Sequence, residues 1–336
     1  MAFQYETVNS GGMSTHYHAR SLIKFYEKDT ALKIKRLFFL LIIALLVGCA
    51  RQGDTISVIK ITRVSIILPE QNDAYWSEIK NELYREIARE GTESHADYKV
   101  LTPAVSYNED LILELVQQQI AAKVDVLVIP GMDSKRMKDA LEEAMNRGSK
   151  VICIDTDIPE IQNHLYIGTD NESAGELMAR KAIELCRGNA TITVVLGDED
   201  SMNQKYRLDG FQKELSKYPD MRIRNVVYDQ YDGVVFVEIF NANQSSDTLI
   251  CLEGTGAKVL GTVNVHDELP YDHILGFDHS DAVDAGMMDG VVVQDINAMG
   301  KAVVDAVEQY AVSGEMEDGA HYTSISFYSN RDALEK

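Results

Sequence analysis

The chain has 336 residues, with 32 Lys and Arg against 53 Asp and Glu, a formal charge of −21, and 45% hydrophobic residues with 22 Gly and 6 Pro. This composition is that of a folded globular protein, and it excludes a mostly disordered chain, a collagen-like one and a polytopic membrane protein. A chain this acidic is poorly suited to displacing counterions from nucleic acid unless its positive charge is concentrated in one place. The one concentration lies near the N-terminus. Cys49, Cys153, Cys186 and Cys251 are too few and too scattered for a disulfide framework or a zinc site with CxxC spacing.

Lys33-Ile-Lys-Arg36 precedes an unbroken apolar run, Leu37 to Val47, that ends in Gly48-Cys49. A basic segment, an apolar core of about 11 residues and small residues before a cut form a secretory signal, and the run is shorter than the roughly 20 residues that span a bilayer. Leu46-Val47-Gly48-Cys49 resembles the lipobox of bacterial lipoproteins. That resemblance implies a leader over 1–48, lipidation at Cys49 and an extracytoplasmic protein tethered to the bacterial cell membrane. Residues 1–32 exceed what such a signal needs: either translation starts later, or they form a cytoplasmic tail ahead of an uncleaved anchor. Cleavage before Cys49 removes six basic and three acidic residues and leaves 288 residues at −24.

From Arg63 onward, short apolar strands alternate with helical spacing. Strands are expected at Val64–Leu68, Tyr98–Leu101, Val124–Ile129 and Val151–Ile154, with helices over Tyr75–Ala88, Glu109–Ala122 and Ser134–Asn146. The alternation continues with a helix over Glu172–Cys186, a strand over Thr191–Leu196, a helix over Gln204–Leu215 and a strand over Arg222–Tyr228. Further strands are expected at Thr248–Leu252, His273–Gly276 and Val291–Val293. Continuously apolar strands point to parallel sheets covered on both faces. About ten strand–helix units are too many for one open sheet, so two α/β lobes are expected.

Ligands of open α/β sheets bind beyond the carboxyl ends of the strands. Asp155, Glu253, Asp278 and Gln294 each directly follow an apolar run there. Each alone reads as a helix cap or turn residue; four in succession point to a shared cleft.

The carrying motifs are Val64-Ser-Ile-Ile-Leu-Pro69 with Tyr75-Trp76, Val151-Ile-Cys-Ile-Asp155, Gly168-Thr-Asp-Asn171 with Ala174-Gly175, Arg207-Leu-Asp-Gly-Phe211, Ile274-Leu-Gly-Phe-Asp278, and Val293-Gln294 with Met299-Gly300. In order and spacing this set resembles the sugar-binding type I periplasmic binding proteins of the ribose-binding kind, over about 63–309. The resemblance implies two Rossmann-like lobes with parallel sheets, joined by three hinge crossovers near 169–172, 294–297 and 313–321. One lobe would comprise 57–169 plus 296–318, and the other 170–295 plus 319–336. It implies a site built from Asp73, Tyr75, Trp76, Asp155, Arg207, Glu253, Asp278 and Gln294, with the aromatic pair stacking on a sugar ring. The chemistry suits a polyol, because carboxylates accept hydroxyl protons, Arg207 offers a rigid fork of donors and Gln294 does both.

Three positions depart from the family pattern. Thr156 stands where Arg is common, Glu253 where Asn is common, and Asp73 where Asn is common. These changes remove donors and add acceptors, so a donor-rich ligand such as an amino sugar or a cyclitol is expected. Tyr231 matches a stacking position only loosely. The implied partners are a monosaccharide or related polyol and an ABC permease, with a membrane histidine kinase as the alternative reader; the protein is expected to be monomeric, without cofactor, metal or nucleic acid. An enzyme finds little support. Gly254-Thr-Gly-Ala-Lys-Val-Leu-Gly261 fits neither GxGxxG nor the P-loop order, no Gly-x-Ser-x-Gly occurs, and Cys153 and Cys251 read as small buried hydrophobes.

Overall fold

The computed structural model describes residues 60–70, 74–242, 245–262, 269–278 and 281–329. The leader, Cys49 and Asp73 lie outside the described residues. No helix among the described residues is long and apolar enough to cross a membrane.

The first lobe opens with β1 (Thr62–Ile67), α1 (Ala74–Glu90), β2 (Ala96–Leu101), α2 (Glu109–Ala122), β3 (Val126–Ile129), α3 (Lys135–Asn146), β4 (Lys150–Ile154) and β5 (Leu165–Thr169). The chain then passes to α4 (Asn171–Leu185), β6 (Ala190–Leu196), α5 (Met202–Leu215), β7 (Met221–Tyr228), α6 (Gly233–Ala242) and β8 (Thr248–Cys251) of the second lobe. It continues through α7 (Thr255–Thr262), β9 (His273–Phe277), α8 (Asp281–Asp284), β10 (Gly290–Gln294), α9 (Ile296–Ser313), β11 (Gly319–Thr323) and β12 (Ile325–Ser329).

The strands form two six-stranded sheets, ordered β11-β5-β4-β3-β1-β2 and β12-β10-β9-β8-β6-β7. The two orders are equivalent, so each lobe repeats the other's winding. Every pairing is parallel except β10 with β12. Strands β3 and β8 are buried at every position, as parallel strands covered on both faces must be. In the first lobe Ile152 and Ile154 of β4 pack toward α1 and α9, while Val151 and Cys153 pack toward α2 and α3. This alternation follows from the two-residue strand period. The second lobe buries α4 and α5 against one face and α6, α7 and α8 against the other.

The chain crosses between sheets at Asp170, Asp295 and Ser324. Asp170 and Asp295 are helix N-caps, accepting hydrogen bonds from the Ser173 and Ala298 amides at 3.1 and 2.9 Å. The crossings are tied together: Thr169 Oγ1 donates to Gln294 Oε1 at 2.7 Å, and Ser324 Oγ donates to Asp295 Oδ2 at 2.7 Å. The third crossing therefore falls later than the 313–321 expected, and 319–323 belong to the first sheet, where β11 pairs with β5. The cause is legible in exposure. Gly319 to Tyr322 are all exposed, so this edge strand carries no apolar signature; its backbone register with β5 and the edge-to-face contact of Tyr322 with Tyr166 hold it.

Candidate functional site

The site grows from two equivalent strand ends. Asp155 follows β4 and Asp278 follows β9, and both hold left-handed backbones with φ of 65° and 64°. The Asp155 amide donates to Ile167 O at 2.9 Å and the Asp278 amide to Val292 O at 2.8 Å, so each residue occupies the same place in its own lobe. A positive φ costs a non-glycine residue roughly 1 kcal/mol or more, and strain of that kind concentrates at functional positions. Asp155 is 5% exposed and accepts hydrogen bonds from Tyr75 Oη at 2.5 Å and Thr156 Oγ1 at 2.8 Å. Both oxygens of Asp278 accept from Gln294 Nε2 at 3.1 Å.

Arg207 reaches the same region from α5 because two glycines let α4 and α5 touch through their backbones. A Cβ on Gly175 would lie 1.9 Å from Arg207 O, and one on Gly210 would lie 2.0 Å from Glu172 O. That close approach buries the Arg207 side chain, where Nε donates to Asn171 Oδ1 at 2.8 Å and Nη1 to Leu252 O at 3.0 Å. The guanidinium lies 4.1 Å from the centre of the Phe277 ring, a cation–π contact. Burial raises the Asp155 carboxyl above its ordinary range, and hydrogen bonding to Tyr75 and the Arg207 charge oppose that rise. Desolvation and then the Asp155 and Asp278 carboxylates push the Tyr75 phenol up, which keeps it a proton donor.

These groups line one cleft of about 1150 Å³ between the lobes. Its mouth is bridged by aromatic rings: Tyr107 from the first lobe stacks parallel to Tyr231 from the second, with centroids 6.2 Å apart and planes 3° apart. Trp76 Nε1 donates to Tyr107 Oη at 2.8 Å, and Gln204 Nε2 donates to Tyr231 Oη at 3.0 Å. Asn203 Nδ2 also reaches Thr156 Oγ1 across the cleft, at 3.4 Å.

Glu253 lines the same cleft, but its carboxylate accepts the Thr255 and Gly256 amides at 2.5 and 3.1 Å and so caps α7. Behind it Asp229 is fully buried, and burial together with the Glu253 charge pushes its carboxyl up to about 8. Because this folded-state value exceeds the unfolded one of about 4, folding loses stability as pH rises from about 4 to about 8. An asparagine amide would donate to Glu253 and remove that loss. Asp229→Asn should therefore melt roughly 5 °C higher at pH 7 and show a flatter profile from pH 5 to 8.5; a lower melting temperature with an unchanged slope would contradict the assignment.

Among the described residues, one group of metal-ligand types comes together: Cys153, Asp157 and His164 offer atoms within 4.8 Å of one another. Other interactions account for it. His164 Nε2 and Asp157 Oδ1 share a hydrogen bond at 2.7 Å, the same oxygen accepts the Ile158 amide, and burial pushes the Cys153 thiol up and away from the thiolate a metal needs.

Residues 64–316 match the periplasmic binding protein domain family. The chain belongs to the periplasmic binding protein family. Among curated relatives it is 31% identical over 137 residues to the D-xylose-binding periplasmic protein of Escherichia coli K12, covering 40% of this chain and 41% of that protein. It is 24% identical over 189 residues to the D-apiose import binding protein of Actinobacillus succinogenes, covering 53% of this chain and 59% of that one. The chain thus spans between two fifths and three fifths of the length of these relatives. A solute-binding protein from Burkholderia graminis in complex with D-arabinose superposes with a TM-score of 0.73 at 20% identity, over 83% of this chain and 98% of that one. The fold is the two-lobed type I form of the family.

On this periplasmic binding protein the structure brings Tyr75, Trp76, Asp155, Arg207, Glu253, Asp278 and Gln294 to one cleft. Sequence reasoning missed Tyr107, Asn171 and Asn203, and the buried Asp229. Tyr107 and Asn203 lie on the loop before α2 and at the start of α5, where no strand-end signal marks them. Asn171 was visible within Gly168-Thr-Asp-Asn171, and its role as the partner of Arg207 appears only once α4 and α5 pack.

Proposed function

We propose that this chain is an extracytoplasmic receptor that binds a monosaccharide or related polyol between its lobes and delivers it to an ABC permease. The observation that carries this reading is the convergence of Asp155 from one lobe with Arg207 and Asp278 from the other, beside the three tied crossings. Asp155 and Asp278 accept hydroxyl protons, Arg207 and Gln294 donate, and Tyr75 and Trp76 offer ring edges and faces. Their planes are 81° apart, so they form a corner that holds a sugar ring on two sides. A ligand touching both lobes favours closure by the contacts it gains only in the closed form. Glu253 contributes through the α7 N-terminus that it caps, and Asp73 precedes the aromatic pair in sequence.

The names of the curated relatives, which bind or import xylose and apiose, support a sugar as the ligand class. The Leu46–Cys49 motif supports a lipid tether at Cys49. No observation favours the histidine-kinase reader over the permease. The test is a thermal-shift screen of the full chain against pentoses, hexoses, amino sugars and cyclitols, since a ligand of the native state raises apparent stability. At least one sugar should raise the melting temperature by several degrees; shifts with amino acids or peptides and none with sugars would refute the reading.

A further inference from the structure

The lobes meet at the mouth of the cleft through a contact made wholly of protein. Tyr107 from the first lobe and Tyr231 from the second lie with ring centres 6.2 Å apart and planes 3° apart. That separation falls within the roughly 4.5–7 Å of favourable offset stacks.

Each ring is fixed from within its own lobe. In the first, the Tyr107 amide donates to Pro69 O at 2.8 Å, and Tyr107 Oη accepts from Trp76 Nε1 at 2.8 Å. In the second, the Tyr231 amide donates to Oδ1 of the buried Asp229 at 2.9 Å, and Tyr231 Oη accepts from Gln204 Nε2 at 3.0 Å. Gln204 Oε1 in turn accepts the Gly197 amide at 2.6 Å, and Gly197 O accepts the Gln230 amide at 2.8 Å. A Cβ on Gly197 would lie 2.3 Å from the Tyr231 ring, so glycine at this position leaves the ring its seat.

Both rings also stand on strained backbone, with φ of 54° at Tyr107, 57° at Gln230 and 56° at Tyr231. Bulky residues rarely adopt the left-handed region, and they persist there only where surrounding contacts over-determine them. The contacts just named do so, and what the strain secures is the direction of two half-exposed rings. None of these anchors crosses the cleft. Opening the lobes therefore breaks the stack and spares the anchors, so the rings meet again already oriented and with little freedom left to lose. Because both partners belong to the chain, the stack favours closure whatever the cleft contains.

We propose that Tyr107 and Tyr231 form a latch that raises the closed population of the ligand-free protein, with Gly197 as the positioning residue for its second half. An offset aromatic pair shifts an equilibrium by roughly two- to tenfold. Apparent affinity scales with the fraction of protein in the binding-competent state, so the latch tightens binding without selecting among sugars.

The test is a dipolar distance measurement between spin labels on Lys135→Cys and Glu199→Cys, exposed positions beside the cleft-lining Ser134 and Asp198. It uses the full ligand-free chain with Cys49 and Cys186 replaced by serine; Cys153 and Cys251 are buried. The ratio of short to long distances should fall roughly two- to tenfold in Tyr107→Ala and in Tyr231→Ala, and stay near wild type in Tyr231→Phe, which keeps the ring. Gly197→Ala should lower the ratio as well. The two alanine changes lie in different lobes, so if one variant misfolds the other decides. An unchanged ratio in a folded alanine variant overturns the latch. A loss in Tyr231→Phe equal to that in Tyr231→Ala assigns closure to the hydroxyl and likewise overturns it. Any sugar of the thermal-shift panel that the wild-type chain binds should bind roughly two- to tenfold more weakly to both alanine variants, and equal affinity overturns the latch. A panel without a binder refutes the sugar reading and leaves the latch to be decided by the distances.

Discussion

Replacing Arg207 with methionine is expected to abolish sugar binding while leaving a folded protein. Methionine keeps an unbranched apolar stem against Phe277, where the guanidinium now lies 4.1 Å from the ring centre, and its sulfur packs well on an aromatic face. Lost with the guanidinium are the donors to Asn171 Oδ1 and Leu252 O. Leaving two buried acceptors unpaired costs about 2–3 kcal/mol, which for a domain of this size lowers the melting temperature by roughly 5–10 °C. The binding loss is larger in proportion. Two charge-assisted hydrogen bonds to a ligand are worth at least about 3 kcal/mol, a hundredfold or more in affinity. Arg207 also opposes the upward push that burial gives Asp155. Without it the folded-state value rises further above the unfolded one, so the variant's stability deficit should widen as pH increases from about 4. Thermal unfolding across pH, with and without sugar, measures both effects; a variant that still responds to sugar would show that Arg207 only supports the wall.

Gly175→Ala should cripple binding without altering any group that touches the ligand. Its Cβ would meet Arg207 O at 1.9 Å, against about 3.4 Å for ordinary contact, and that obstacle is backbone and cannot rotate away. Helices α4 and α5 must separate by more than 1 Å, which carries Arg207 away from Asn171 and the cleft floor. Overpacking usually costs about 1–3 kcal/mol, and a clash of a methyl against a backbone carbonyl, which cannot rotate away, belongs at or above the top of that range. Melting temperature should fall by roughly 10 °C and affinity by at least tenfold. Gly300 occupies the matching place on α9, where a Cβ would lie 2.7 Å from Glu82 Cγ. There the neighbour is a side chain, which can shift, so Gly300→Ala is the milder control; equal effects from the two glycines would contradict this account.

Most of the lobe architecture was legible because each strand buried on both faces reads as an unbroken apolar run. The strand-end residues were legible for a related reason: where the run stops, a polar residue must turn the chain, and here those residues face a cleft. What escaped was held by backbone or by packing alone. The exposed edge strand β11 has no apolar pattern, and so the third crossing was expected too early. Glu253 was placed at the cleft from its position after β8, but sequence could not show that two amides of α7 would occupy its carboxylate. The stacked Tyr107 and Tyr231 come from loops more than 120 residues apart, and their meeting exists only once both lobes are assembled.

The central claim is that one sugar binds between the lobes on Asp155, Arg207 and Asp278. Its most direct test is calorimetric titration of the full chain with whichever sugar raises its melting temperature most. A single site per chain is predicted, lost in Arg207→Met and weakened by at least tenfold in Asp155→Asn. Unchanged binding heat and affinity in both variants would place the ligand elsewhere and contradict the account.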